Sequence, residues 1–270
     1  MIGLRRLSQL SPLSQLSRLV KASLPSLIML FVFLLLWQAW VASGAIASYL
    51  LPSPGDVFAA FVDSRPELLR ALASTLTSSL FGLGVSLLMG TLLAFLLASS
   101  NFLRQAFLPF AVFFQTVPII AIAPLLVIWF GFGEPTVRAS AAIVSFFPIL
   151  ANTMKGLTQV EPQLAELFRF FVATRRQTLF RLRLPSAFPF LIAGMEVSAG
   201  LAVIGALVGE FVGGGGLGSI IDSARTQQRV DLVFAAVILS SVLGFVFVRL
   251  VQLIGRGLLR LRPFSPANDG

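Results

Sequence analysis

The stretch Ala71–Leu103, ALASTLTSSLFGLGVSLLMGTLLAFLLASSNFL, runs for 33 residues without an Asp, Glu, Lys or Arg. About 20 apolar residues in a helix cross the ~30 Å hydrocarbon core of a bilayer, so this interval holds a membrane span with room to spare. Similar intervals lie on either side of it. Leu24–Ala42 is apolar, with Trp37 and Trp40 near its far end. Gln105–Gly133 carries no charge over 29 residues, and Ala139–Met154 carries none over 16 and is extendable at both ends. Phe188–Val212 contains only Glu196 and Glu210, and Leu232–Val248 is clean before Arg249. The fold class is therefore all-α, a polytopic membrane helix bundle with six transmembrane helices. Residues 1–23 read as a terminal segment, 24–255 as the bundle (core about 70–255), and 256–270 as a tail.

Composition supports this. The 270 residues are 57% hydrophobic and 11% charged, against about 25% charged in soluble domains, and the mean hydropathy is +0.93. A soluble globule of this size cannot bury so much apolar surface in one core. With no Cys and no His, thiolate or imidazole catalysis, disulfides, zinc fingers and haem attachment are excluded.

An even number of spans puts both termini on one side. If that side is cytoplasmic, the inner segments carry fifteen cations: Arg5, Arg6, Arg18, Lys21, Arg104, Lys155, Arg169, Arg175, Arg176, Arg181, Arg183, Arg249, Arg256, Arg260 and Arg262. The outer segments carry five: Arg65, Arg70, Arg138, Arg225 and Arg229. The positive-inside rule then places both termini in the cytoplasm, and the net charge of +9 needs no nucleic acid to explain it. The cations before Leu24 and the Ala45-Ile46-Ala47 triplet resemble a signal peptide with its cleavage site. The apolar run of 19 residues exceeds the usual h-region, and it is read as an uncleaved first helix.

The one long inner connection, about 155–187, reads as two short amphipathic helices. The first opens at Glu161-Pro162, where a first-turn proline costs no hydrogen bond, and carries Leu164, Leu167, Phe168 and Phe171 at helical spacing. The second opens at Thr174-Arg175-Arg176-Gln177, a capping-box pattern. It continues through Leu179, Leu182 and Leu184 and is expected to stop before Pro185. Two readings stay open: an interfacial helix whose arginines hold anionic lipid, and a projecting helix pair that docks a soluble partner.

Glu166-Leu167-Phe168, Val172-Ala173-Thr174 and Leu184-Pro185 together resemble the EAA loop of ABC importer permeases. Other segments resemble the nitrate/sulfonate/taurine-type branch of that family. They are Leu51-Pro52-Ser53-Pro54, Val117-Pro118, Ala123-Pro124-Leu125, Trp129-Phe130-Gly131, Phe147-Pro148-Ile149 with Asn152-Thr153, Gly209-Glu210 and Gly216-Leu217-Gly218. The matches follow family order over roughly residues 50 to 250. Three positions depart. Val172 stands for the loop's Gly, Phe168 for its second Ala, and Glu196 for a basic residue common in the family. A β-branched residue suits φ > 0 poorly, so the turn at Val172 is expected to take another backbone shape.

The resemblance implies a type I importer permease fold in a bacterial inner membrane. It implies a second permease subunit (a homodimer), two cytoplasmic ATP-binding subunits and a periplasmic or lipid-anchored solute-binding protein. ATP and Mg would then be bound by the partner ATPase subunits and no cofactor by this chain. The ATPase-coupling residues carried over are Glu166, Arg169, Ala173, Thr174, Arg175, Arg176, Leu184 and Pro185.

The remaining features are less specific. Gly213–Gly216 lacks the Lys-Ser/Thr of a phosphate-binding loop and reads as a tight re-entry turn at the outer surface. Pro118 and Pro124 interrupt the third span and Pro148 the fourth, as kinks or as bends at a gate. Gln115, Thr116, Ser145 and Ser198 lie near these breaks, as lining of a water-filled path or as packing hydrogen bonds. Glu210, near an outer span end, is a gating or partner contact or else an interfacial anchor. The rival classes are an ion-coupled secondary transporter, for which internal repeats and mid-membrane charges are wanting, and a non-transporting scaffold.

Overall fold

A computed structural model describes residues 12–44, 47 and 50–260. Arg5, Arg6, Arg262 and most of the Ala45-Ile46-Ala47 triplet lie outside the described residues. Among those described, the chain forms helices joined by short turns and no strands.

Helices α1 (Pro12–Ala42), α2 (Pro54–Asp63), α3 (Arg65–Ser99), α4 (Asn101–Thr116), α5 (Ile119–Phe130) and α6 (Glu134–Thr158) make the first half. Then come α7 (Pro162–Phe170), α8 (Arg175–Thr178), a π-helical turn (Leu179–Arg183), α9 (Leu184–Gly213), α10 (Gly216–Thr226) and α11 (Val230–Arg260). Five stretches among the described residues are long and apolar enough to cross a membrane: Leu24–Ala42, Arg65–Ser99, Glu134–Thr158, Arg176–Gly213 and Val230–Arg260. A sixth exists if α4 and α5 count as one span.

The break in that pair falls at Pro118, where an interruption of the third span is expected, and the two halves meet at 98°. The cause is Pro118. It forces Val117 out of the helical region, to φ −72° and ψ 121°, since the residue before proline clashes in the α conformation. Pro124 and Pro148 lie inside α5 and α6 without ending either helix.

The core is the seam of α3, α6 and α9, closed on one side by α11. Small residues set its spacing. A methyl at Gly82 would stand 2.5 Å from the Ala141 Cβ, and one at Gly209 would stand 2.8 Å from the Val137 Cα. Such close backbone approach is how membrane helices associate without a hydrophobic driving force. A hydroxyl chain threads the same seam. Ser86 shares a 2.8 Å bond with Ser145 and donates to the Ala142 carbonyl, while Ser198 donates to the Ser145 carbonyl at 2.6 Å. All three serines are buried.

At the expected outer side, α2 begins with a capping box unread in the sequence. The Ser53 hydroxyl and the Asp56 carboxylate satisfy each other's backbone N–H groups. The Ser53 hydroxyl, and then its backbone N–H, hold the Asp56 carboxyl below the usual carboxylate range. The exposed stripe of α1 meets the bundle at Trp37, whose indole N–H donates to the Pro52 carbonyl at 3.1 Å and whose ring lies 5.8 Å from that of Phe234.

Candidate functional site

The loop between α6 and α9 is built from two short elements and one reversal. Glu161 occupies the N-cap position of α7 without a side-chain hydrogen bond to it, and Pro162 lies in the first turn. At the other end the Val172 N–H donates to the Arg169 carbonyl and the Ala173 N–H to the Phe168 carbonyl, both at 3.0 Å. These are the two bonds of a Schellman motif, which requires a left-handed residue between them. Val172 supplies it with φ 51°. The expected change of backbone shape is therefore corrected: the turn keeps the conformation suited to Gly, and two hydrogen bonds hold a β-branched residue in it.

Thr174 then starts the second element. Its N–H donates to Gln177 Oε1 at 2.8 Å, and the Gln177 N–H donates to Thr174 Oγ1 at 3.2 Å. The expected stop before Pro185 is also corrected. The chain passes through the π-helical turn, where the Leu184 N–H reaches back to the Leu179 carbonyl. That wider turn shifts the hydrogen-bond ladder by one residue and so admits Pro185, which has no N–H to donate, within the helix. From Arg176 to Gly213 the helix is continuous over 38 residues. Any push on the second element is thus applied to the end of a rod that spans the bundle.

No residue of α7 is buried. Leu164 and Leu167 are exposed, and so are Phe170, Phe171 and Val172 at the reversal. The stripe expected from sequence therefore lacks a partner among the described residues, apart from the half-buried Phe168. Glu166, Arg169, Thr174 and Arg176 are exposed, and Ala173 is half-buried. Glu166 and Arg169 form no ion pair with each other.

The residues suggested for a path or gate separate into two places. Gln115, Thr116 and Pro118 are exposed at the α4–α5 bend, with the Thr116 hydroxyl donating to the Phe113 carbonyl at 2.7 Å. Ser145 and Ser198 lie in the helix seam described above, as packing hydrogen bonds and not on an open surface.

Glu210 is 1% exposed. The glycines after α9 turn the chain through positive φ at Gly214, Gly215 and Gly216 and bring the start of α10 onto this side chain. Glu210 Oε2 accepts the Gly218 N–H at 2.8 Å, and the Thr75 hydroxyl oxygen accepts the Leu217 N–H at 3.0 Å. Two free donors of a helix start are thus satisfied by α9 and α3. The other oxygen, Oε1, has no hydrogen-bond partner among the described residues. Glu196 is half-buried, and its carboxylate approaches the position of Gly255 on α11.

The roles of three residues escape a reading along the chain. Ser53 and Asp56 carry a legible signal, Ser-x-x-Asp before an apolar run. Thr75 carries none, because its partner lies 142 residues away.

Residues 86–260 match the family described as binding-protein-dependent transport system inner membrane component. The formylaminopyrimidine transport permease protein ThiX of Halalkalibacterium halodurans is 38% identical over 78% of this chain and 86% of that protein. The riboflavin transport system permease protein RibX of Chloroflexus aurantiacus is 32% identical over 86% of this chain and 87% of its own length. The putative aliphatic sulfonates transport permease protein SsuC of Bacillus subtilis is 30% identical, covering 86% of this chain and 85% of that one. Among solved structures, a chain of the inward-facing MetNI methionine ABC transporter superposes with a TM-score of 0.61 at 21% identity. It covers 72% of this chain and 94% of the transporter chain.

Proposed function

The chain belongs to the binding-protein-dependent transport system inner membrane component family, and from that membership we infer which solute class, partners and orientation it has. As a family member it is a multi-pass permease subunit of an ABC importer, working with ATPase and substrate-binding partners. The solute is a small nitrogen heterocycle of the pyrimidine or flavin kind. The similarity to permeases of formylaminopyrimidine and riboflavin transport supports this, and so does the lack of Lys or Arg within Ala71–Leu103, Gln105–Gly133 and Ala139–Met154.

Two copies of the chain form the pathway, with both termini in the cytoplasm. Two ATPase subunits bind ATP and Mg and seat against residues 161–185, and this chain holds neither nucleotide nor cofactor. A periplasmic or lipid-anchored binding protein meets the outer face around α10. Closing of the ATPases moves the second element of the loop, α9 carries that movement across the bundle, and the α4–α5 bend with Gln115, Thr116 and Pro118 opens or closes the path.

The observation that carries this reading is the capped loop running unbroken into a 38-residue helix. It supplies the lever that an ATP-driven permease needs and that a secondary transporter does not. Reconstitution with the cognate ATPase and binding protein tests it. Uptake of a labelled pyrimidine or flavin should require internal ATP and persist when proton and sodium gradients are collapsed. Uptake that follows either gradient and ignores ATP would favour the ion-coupled alternative. Uptake of an alkanesulfonate alone would move the solute class.

A further inference from the structure

Between the inner ends of α3 and α4 and the coupling loop lies a cavity of about 800 Å³ to which the importer reading assigns no ligand, although its loop wall (Ala173, Thr178, Leu179 and Arg183) lies in the segment proposed to seat the ATPase. Its walls include two arginines far apart in sequence, Arg104 from the first turn of α4 and Arg183 from the π-helical turn. Thr158 and Thr178 stand beside them, and no Asp or Glu among the described residues lines the space. Both arginines are half-buried. Arg183 Nη1 donates to the Ala98 carbonyl at 3.4 Å, and Arg104 Nη2 donates to the Asn101 side chain. Neither has a carboxylate partner among the described residues.

Two like charges drawn into one partly desolvated space, with no counter-charge, raise each other's energy. Each guanidinium has five N–H donors in a planar fork and spends one of them in the bond named above. The first turn of α4 adds the positive end of a 16-residue helix to the same wall. A group that relieves this arrangement is an oxyanion with several acceptor oxygens, and the fork geometry matches phosphate. The cavity also lies at the end of the α3 span, at Ser99 and Ser100, where a membrane protein meets headgroups.

We propose that this cavity is a phosphate-binding site that takes the phosphate of a lipid headgroup or of a soluble phosphate compound, clamped between Arg104 and Arg183. A phosphate held there ties the first turn of α4 to the turn that feeds α9, and so steadies the coupling loop against the bundle. Binding does not depend on the solute, and only the side of the membrane rests on the topology inferred above.

The full chain, purified in neutral detergent after exchange with phosphatidylcholine or phosphatidylglycerol, tests this by native mass spectrometry. Its melting temperature is measured with and without inorganic phosphate. Two variants are compared with the wild type. Arg104→Gln with Arg183→Gln removes both forks, and Thr178→Glu leaves them in place and adds a carboxylate to the cavity. Retention of phosphatidylglycerol by the wild type, with loss of about tenfold in either variant, identifies the headgroup as the source. Stabilisation of the wild type alone by inorganic phosphate, without retained lipid, identifies the soluble source. Equal lipid retention and equal response to phosphate in the wild type and whichever variants fold would overturn the proposal.

Discussion

The Glu210 carboxylate accepts the backbone N–H of Gly218 at 2.8 Å, so the last turns of α9 fix the start of α10 eight residues further on. A methyl at Gly216 would stand 1.9 Å from Glu210 Oε1, so the carboxylate fills the space that glycine leaves. Glu210→Gln keeps an acceptor for the Gly218 N–H and should fold and assemble. Glu210→Ala leaves that donor unpaired and should cost about 1–3 kcal/mol. Gly216→Ala forces the carboxylate out and strains a positive φ, and should cost at least as much. Unfolding midpoints in mixed micelles check the order. An alanine variant at 210 as stable as the wild type would remove the anchoring role.

The α3–α6 seam offers an internal comparison. Gly82 meets Ala141 and the Ala142 backbone, whereas nothing lies within 4 Å of a methyl placed on Gly84. Gly82→Ala should destabilise by about 1–3 kcal/mol through overpacking. Gly84→Ala should be neutral or stabilise by about 0.5–1 kcal/mol through reduced backbone freedom. The same micelle unfolding assay reads both. Equal effects would mean that the seam is looser than its contacts indicate.

Charge-free intervals locate the spans because the bilayer penalises charge wherever the fold goes. For that reason Ala71–Leu103 anticipates α3 to within a few residues at its inner end. Capping signals are equally local, and Thr174 with Gln177 forms the box its spacing suggests. The misreadings lie where distant backbone decides. Pro185 looked like a stop because the π-helical turn that admits it is set by the carbonyl of Leu179, not by a residue pattern. Val172 looked unfit for a left-handed turn because its strain is visible in sequence, while the Schellman bonds that offset it are not. Ser145 and Ser198, open in sequence to path lining or to packing hydrogen bonds, take the second form where the seam sets them against each other. The partners of Glu210 became legible only once three glycines had folded α10 back onto it.

The fifteen-to-five charge count predicts opposite sides for the coupling loop and for the α10–α11 turn. The chain has no native Cys, so single cysteines report cleanly. Gln227→Cys should react with an impermeant maleimide added to cells whose outer membrane has been permeabilised, and Gln163→Cys should react only after the inner membrane is opened. Both positions are exposed. The reverse pattern would invert the topology.

Arg176 and Arg181 are exposed on the second element of the loop, where they suit either an ATPase or anionic lipid. Changing both to Glu should reduce recovery of the cognate ATPase in neutral detergent by about tenfold or more, since charge-assisted contacts become repulsive. Undiminished recovery, together with weaker attachment to anionic bilayers, would assign these arginines to lipid.

Val172 separates the shape of the loop from its chemistry. Its φ of 51° is unfavourable for a β-branched side chain, at a cost on the order of 1–3 kcal/mol, and its side chain is 86% exposed. Val172→Gly should therefore stabilise the reversal by about 1 kcal/mol and slow proteolysis between α7 and α8. Val172→Pro fixes φ near −65° and removes the N–H that bonds to Arg169, so it should open the loop and abolish ATPase recovery while the bundle still inserts. If Val172 instead contributes through its exposed methyls, Val172→Gly will tighten the loop yet weaken recovery, and Val172→Ala will fall between the two. If the left-handed turn alone matters, recovery with Gly will equal or exceed that of the wild type. Pull-down of the ATPase with the four proteins, alongside limited proteolysis, distinguishes these outcomes. Wild-type recovery with the proline variant would show that the Schellman turn is not the element the ATPase grips.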